Sequence, residues 1–180
     1  MRRSFVVLAA LLSVAAARPA TVWNPAQMAC PQQRAPAMLI DELADNMVPN
    51  ALTPEEEDMA ANDLARFSTE CAAQTRVPEA REDAYLSYVV YRLSSIGLAQ
   101  RLAKRGIPVD LVDRTLGIGP GRANALDKDI PDAKLEALMK ALIARKIDPE
   151  KLPDGSWELI GAYASATSKL HQGLKPAPRG

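Results

Sequence analysis

Apolar residues along this chain recur with the period of helices, and nowhere do they alternate as half-buried strands require. Ala60, Leu64, Phe67 and Cys71 stand at i, i+4, i+7 and i+11, so they share one helix face. The start of that helix is marked by Thr53-Pro54-Glu55-Glu56, a capping threonine, a proline at the first helical position and a glutamate that completes a capping box. Leu135, Leu138, Met139, Leu142 and Ile143 fill the amphipathic template behind Asp132 as its cap. Met38, Ile40, Leu43 and Met47 predict a shorter helix from about Pro36 to Asn46, stopped before Pro49.

The longest predicted helix covers residues 78–105. Pro78 opens it, Glu79, Glu82 and Asp83 load its first turns, and Arg101, Lys104 and Arg105 load its last, each matching the helix dipole. Gly106 supplies a left-handed stop. Tyr85, Leu86, Val89, Val90, Leu93, Ile96 and Leu102 are apolar over more than half the circumference, the mark of a central helix. Ser94, Ser95 and Gly97 leave a small patch where another backbone can approach closely. Residues 108–126 predict two short helices around glycines, and Ser156 caps a last helix carrying Ile160, Tyr163, Thr167 and Leu170 and ending at Gly173. Residues 18–35 hold Pro19, Pro25 and Pro31 with no helical period, and predict an extended arm; residues 174–180 predict a flexible tail. The expectation is one all-α domain over residues 36–173, a small irregular bundle around the long central helix.

Composition refines this picture. Of the 180 residues 48% are apolar but only 4% aromatic, which favours closely approaching alanine-rich helices over a thick core. The formal net charge is zero, so no global field steers the chain to nucleic acid or to a membrane. Residues 21–100 carry 5 Lys/Arg against 12 Asp/Glu, and residues 101–180 carry 14 against 10. The two halves are oppositely biased, as packed complementary halves or a weakly basic binding surface would be.

The N-terminus predicts export. Arg2 and Arg3 form a positive n-region, Ser4–Ala17 is an uncharged apolar run, and Ala15-Ala16-Ala17 offers small residues for cleavage after Ala17. The run is too short to span a bilayer as a helix. An uncleaved anchor and a twin-arginine signal, on Arg2-Arg3-Ser4-Phe5-Val6, are the alternatives. The mature chain is then periplasmic or secreted, with no integral membrane segment. In such a compartment the two cysteines, Cys30 and Cys71, predict one disulfide that pins the arm across the helix that starts at Thr53. A metal site needs more ligands than these two cysteines and His171 provide, and no cofactor is expected.

One local motif carries chemistry. Leu116-Gly117-Ile118-Gly119-Pro120-Gly121-Arg122-Ala123-Asn124-Ala125-Leu126 resembles the helix-hairpin-helix motif of nucleic-acid-binding proteins, over Val109–Leu126 only. The resemblance implies that a second helix begins at Pro120. It also implies that Gly117, Ile118 and Gly119 present backbone N–H groups to a phosphate while Arg122 adds a cation. Such contacts would hold DNA without base preference. The same residues also read as a glycine-built connector with Ile118 in the core.

Catalytic signals are few. His171 is the one histidine and sits in a last helical turn, where a cation suits the dipole. No Gly-x-Ser-x-Gly elbow or phosphate loop occurs. Tyr85, Tyr88 and Tyr91 recur every third residue, as core edge with wet hydroxyls or as the lining of a ligand groove. The expectation is an exported binding protein rather than an enzyme, its partner another protein or a small molecule between helices. Extracytoplasmic DNA binding through Gly117–Arg122 is the alternative.

Overall fold

A computed structural model describes residues 23–49, 51–126 and 129–174. The predicted leader and cleavage site, and the tail from Lys175, lie outside the described residues. The elements are α1 (Pro25–Arg34), α2 (Ala37–Asn46), α3 (Pro54–Thr75), α4 (Glu82–Lys104), α5 (Val109–Leu116), α6 (Asp132–Ala144) and α7 (Ser156–Gly173). Short 3-10 turns lie at Glu79–Arg81 and Pro149–Lys151, and no strand forms among the described residues. The all-α bundle around a long central helix is the observed architecture.

The extended arm expected over residues 18–35 is wrong for its second half, which is α1. The signal was a capping box: the Asn24 side chain accepts from Gln27 N–H at 2.9 Å, and Gln27 Oε1 accepts from Asn24 N–H at 3.0 Å. Pro31 lies inside this helix and has no N–H to donate to the Gln27 carbonyl one turn back. The Tyr85 hydroxyl supplies that missing donor at 2.9 Å, and the Tyr88 hydroxyl donates to Met28 O at 3.1 Å. Tyr85 therefore repairs the proline defect in α1, and Tyr88 adds a second tie from α4. Cys30 and Cys71 are disulfide-bonded and buried, which ties α1 to α3.

The helix α4 runs through two apolar clusters. Its first half meets Trp23, Cys30, Leu43, Phe67 and Cys71; its second half meets Ile107, Val112, Ile118, Leu138 and Ile160. The small-residue patch does what its composition predicted. A Cβ at Gly97 would fall 2.7 Å from Ile40 O and 2.8 Å from Ala44 Cβ, so α2 crosses α4 at a separation only glycine permits. Beside it the Ser94 hydroxyl donates to Leu43 O at 3.2 Å. Arg101 fastens the same crossing by pairing with the Asp45 carboxylate and donating to Asp41 O at 2.9 Å.

Two helix starts differ by one residue from expectation. Pro131 occupies the cap position ahead of Asp132, and Gly155, with φ of +72°, occupies the one ahead of Ser156. Both serve because the proline ring fixes φ near its extended value and glycine turns freely, and neither start has a side-chain cap bond. The capping box at Thr53 forms as read, with Thr53 Oγ1 accepting from Glu56 N–H and Glu56 from Thr53 N–H.

Candidate functional site

Of the two short helices expected over 108–126, only α5 forms. Pro120–Leu126 is turn and coil. The Gly117 and Ile118 N–H groups both donate to Asp113 O at 3.0 Å, which closes α5 with a left-handed glycine stop of the Schellman kind. Ile118 is completely buried, and Lys134 Nζ donates to the freed carbonyl of Leu116. Beyond it the chain folds on Asn124. Gly119 N–H donates to Asn124 Oδ1 at 2.7 Å and Asn124 Nδ2 returns to Gly119 O at 2.9 Å, a paired bond that mimics a peptide pair. Asn124 N–H donates to Gly117 O at 3.0 Å, and Gln172 of α7 donates to Asn124 O at 2.6 Å. The N–H groups of Gly117, Ile118 and Gly119 are thus committed within the chain. Arg122 stands near enough to Asp113 for its charge to pull that carboxyl down.

This loop is instead one wall of a cavity of about 200 Å³. On α4, Arg92, Ser95, Ile96 and Ala99 recur at i, i+3, i+4 and i+7 and face it. On α7, Tyr163, Thr167 and His171 recur every fourth residue, with Leu170 beside them. Asp113 of α5, Gly119 and Pro120 close one end. Gly119, with φ of +97°, carries no side chain there; a Cβ would sit 3.7 Å from Asp113 Oδ2.

The polar groups of this cavity are unevenly matched. The Tyr163 hydroxyl donates to Asp113 Oδ1 at 2.8 Å, and Ser95 Oγ donates to Arg92 O at 2.9 Å. Thr167 is 4% exposed, and its hydroxyl lies by Tyr163 without a well-directed hydrogen bond. Arg92 Nε is likewise buried and without a partner. Both atoms are shut off from solvent, as are the unpaired Glu42 Oε2, Arg81 Nη2 and Ser168 Oγ of residues outside the cavity lining.

Burial pushes the Asp113 carboxyl above the usual carboxylate range, against the Tyr163 bond and the Arg122 charge. Burial and then the bond to Asp113 push the Tyr163 phenol far above its ordinary range. Burial, followed by the Arg92 cation, holds the His171 imidazole below its ordinary 6.5. The expectation of a dipole-stabilised cation at His171 is therefore reversed. The last turn of α7 is packed under α4, so burial first and the Arg92 charge second outweigh the half-charges of the helix end.

The tyrosine stripe of α4 splits. Tyr85 and Tyr88 are core residues bonded to α1, while Tyr91 edges a separate cavity of about 230 Å³, with Lys169 Nζ 5.5 Å from its ring centroid. Among the described residues no group of His, Cys, Asp and Glu is gathered to hold a metal ion, and no helix is long and apolar enough to cross a membrane. No protein-family model, no curated protein and no solved structure matches this chain.

Sequence reasoning missed this site because it placed Tyr163 and Thr167 on an apolar face with Ile160 and Leu170. The available signal was the Tyr-Thr-His spacing of four along α7, opposite an arginine on the central helix.

Proposed function

We propose that this chain is an exported binding protein that holds a small polar molecule in the cavity between α4 and α7. The observation that carries the reading is the cavity of about 200 Å³ itself, where Arg92 and Ser95 of α4 stand opposite Tyr163, Thr167 and His171 of α7 with Asp113 at one end. Fixed groups on two rigid helices favour binding, and the one hydroxyl that bonds a carboxylate there, Tyr163 on Asp113, has its phenol pushed up rather than down. Export is supported by the leader-like run ending at Ala17 and by a buried disulfide, which persists in oxidising compartments. DNA binding through Gly117–Arg122 would require the Gly117, Ile118 and Gly119 N–H groups to abandon the acceptors they hold.

The test is the unfolding midpoint of the oxidised chain in the presence of amino acids, hydroxy acids, amines and sugars. A ligand that binds only the folded state raises stability by mass action, about 2.7 kcal/mol at a hundred times its Kd. At least one solute class is expected to raise the midpoint, and Thr167→Leu, which fills the cavity with hydrocarbon, is expected to remove that rise. No stabilisation by any class, or a rise that survives Thr167→Leu, refutes the reading.

A further inference from the structure

Charged groups from three helices meet at this cavity. His171 lies in the last turn of α7, and Arg92 of α4 lines the same space, close enough for its charge to act on the imidazole. Asp113 of α5 closes one end, bonded to Tyr163 on the same helix as His171. Arg122, from the loop after α5, acts on Asp113. Arg92 forms no ion pair with a carboxylate among the described residues. With a neutral imidazole the lining therefore holds one cation, Arg92, and one anion, Asp113. A proton on His171 places a second cation beside Arg92.

That charge arrives at the end of a helix, where a fold opens at least cost. Leu170 is buried in the apolar cluster, whereas His171 and Gln172 are half-buried and Gly173 is exposed. The Gln172 side chain ties this turn to the loop after α5, donating to Asn124 O at 2.6 Å.

We propose that the last turn of α7 is an acid-sensitive latch on the cavity: a proton on His171, facing the Arg92 cation, moves the turn off α4 and breaks the Gln172–Asn124 tie. The wall that His171 supplies then leaves, and the cavity opens to solvent. The opening needs no ligand; that it releases one in acid rests on the reading of the cavity as a binding site.

Burial first, and the Arg92 charge second, keep the imidazole neutral while the turn is closed. Once open, it returns to its ordinary value near 6.5. The open turn takes up the proton first, so acid below 6.5 shifts the latch toward opening, by at most about tenfold for each pH unit. Asp113 acts the other way. Burial raises its carboxyl, so the closed cavity takes that proton more readily, which limits the opening at the acid end of the range. Tyr163 stays a neutral phenol throughout.

The test is amide hydrogen exchange of the oxidised full chain, without added solute, at pH 7.5 and 5.5 and in low urea, with rates corrected for the intrinsic effect of pH. The amides of His171, Gln172 and Gly173 are expected to lose at least about threefold in protection at pH 5.5. Low urea is expected not to promote this opening, because little surface is exposed by it. His171→Gln, neutral at both pH values, is expected to remove the loss with the helical CD spectrum intact. Arg92→Gln is expected to reduce it, since burial alone then holds the imidazole down; this variant decides the proposal if His171→Gln loosens the turn by itself. Equal protection at the two pH values overturns the latch, as does a loss that persists in His171→Gln. Exchange of these amides only together with Leu93 and Leu98 of α4, with the same urea dependence, also overturns it, because the turn then opens only when the whole chain unfolds. No solute is present, so failure of the latch leaves the binding reading standing. That reading fails separately, if no solute raises the unfolding midpoint.

Discussion

His171 is the single histidine of the chain, so its titration can be followed without ambiguity. Burial and the Arg92 charge lower its folded pKa below 6.5, with the Asp113 carboxylate and the Tyr163 phenol on the same cavity wall. Above pH 6.5 both folded and unfolded chains carry a neutral imidazole, and its contribution to stability is fully present. As pH falls through 6.5 the unfolded chain takes up a proton that the folded chain refuses, and stability falls until the folded pKa is reached. Proton NMR is expected to show His171 titrating below 6.5. The unfolding midpoint is expected to drop between pH 7.5 and 5.5 by an amount that shrinks in His171→Gln. A pKa at or above 6.5 would restore the dipole-stabilised cation and remove Arg92 from its neighbourhood. The buried phenols of Tyr85, Tyr88 and Tyr163 act at the other extreme. Their raised pKa values mean that stability falls as pH rises above 10, where the unfolded chain ionises first.

At the level of elements, the helices that were legible were those whose apolar stripe and caps agree. α3 carries both the Thr53 capping box and the Ala60–Cys71 stripe, and α6 fills its template. α1 was illegible because its three start signals, Asn24, Pro25 and Gln27, precede a polar stretch with an internal proline. What holds it is tertiary, the Tyr85 and Tyr88 hydroxyls and the disulfide. The loop after α5 was misread for the opposite reason. Its glycines suggested a hairpin between helices, but Asn124, five residues after Gly119, outcompetes helix formation by taking the Gly119 N–H and C=O into its own amide. Asn124 also holds φ of +51°, which asparagine tolerates better than most residues. Asn124→Ala is expected to cost about 1–3 kcal/mol, the toll of leaving a buried amide pair unsatisfied. It is also expected to accelerate hydrogen exchange at Gly119 ahead of the rest of the fold. An unchanged exchange rate would mean that another group holds the loop.

For the whole molecule, the two apolar clusters share α2, α4 and α7, and the disulfide serves only the first of them. Cys30 and Cys71 are 41 residues apart, a closure that contributes about 4 kcal/mol in the chain-entropy view. That is a large part of the roughly 5–15 kcal/mol of a typical domain. Cys30→Ser with Cys71→Ser is therefore expected to lower the denaturation free energy by about that amount, with α1 the first element to lose protection. Uniform loss of protection would instead show that both clusters unfold as one unit. The cavity lies at the seam between these clusters, where α4, α7 and the Asn124 loop converge. That a backbone approaches α4 closely at Gly97 was readable from small residues in sequence; that it is α2, and that α7 packs on another face, was not. Arg92 and His171 lie 79 positions apart, and nothing local announces that two helices will turn these faces together.

The most direct test of the cavity as a ligand site is the imidazole signal of His171 in the oxidised chain, followed while a solute that raises the unfolding midpoint is added. The account predicts a saturable shift over the same concentrations that raise the midpoint, and Thr167→Leu is expected to abolish it. A solute that raises the unfolding midpoint yet leaves the His171 signal in place would put the binding site elsewhere and contradict it.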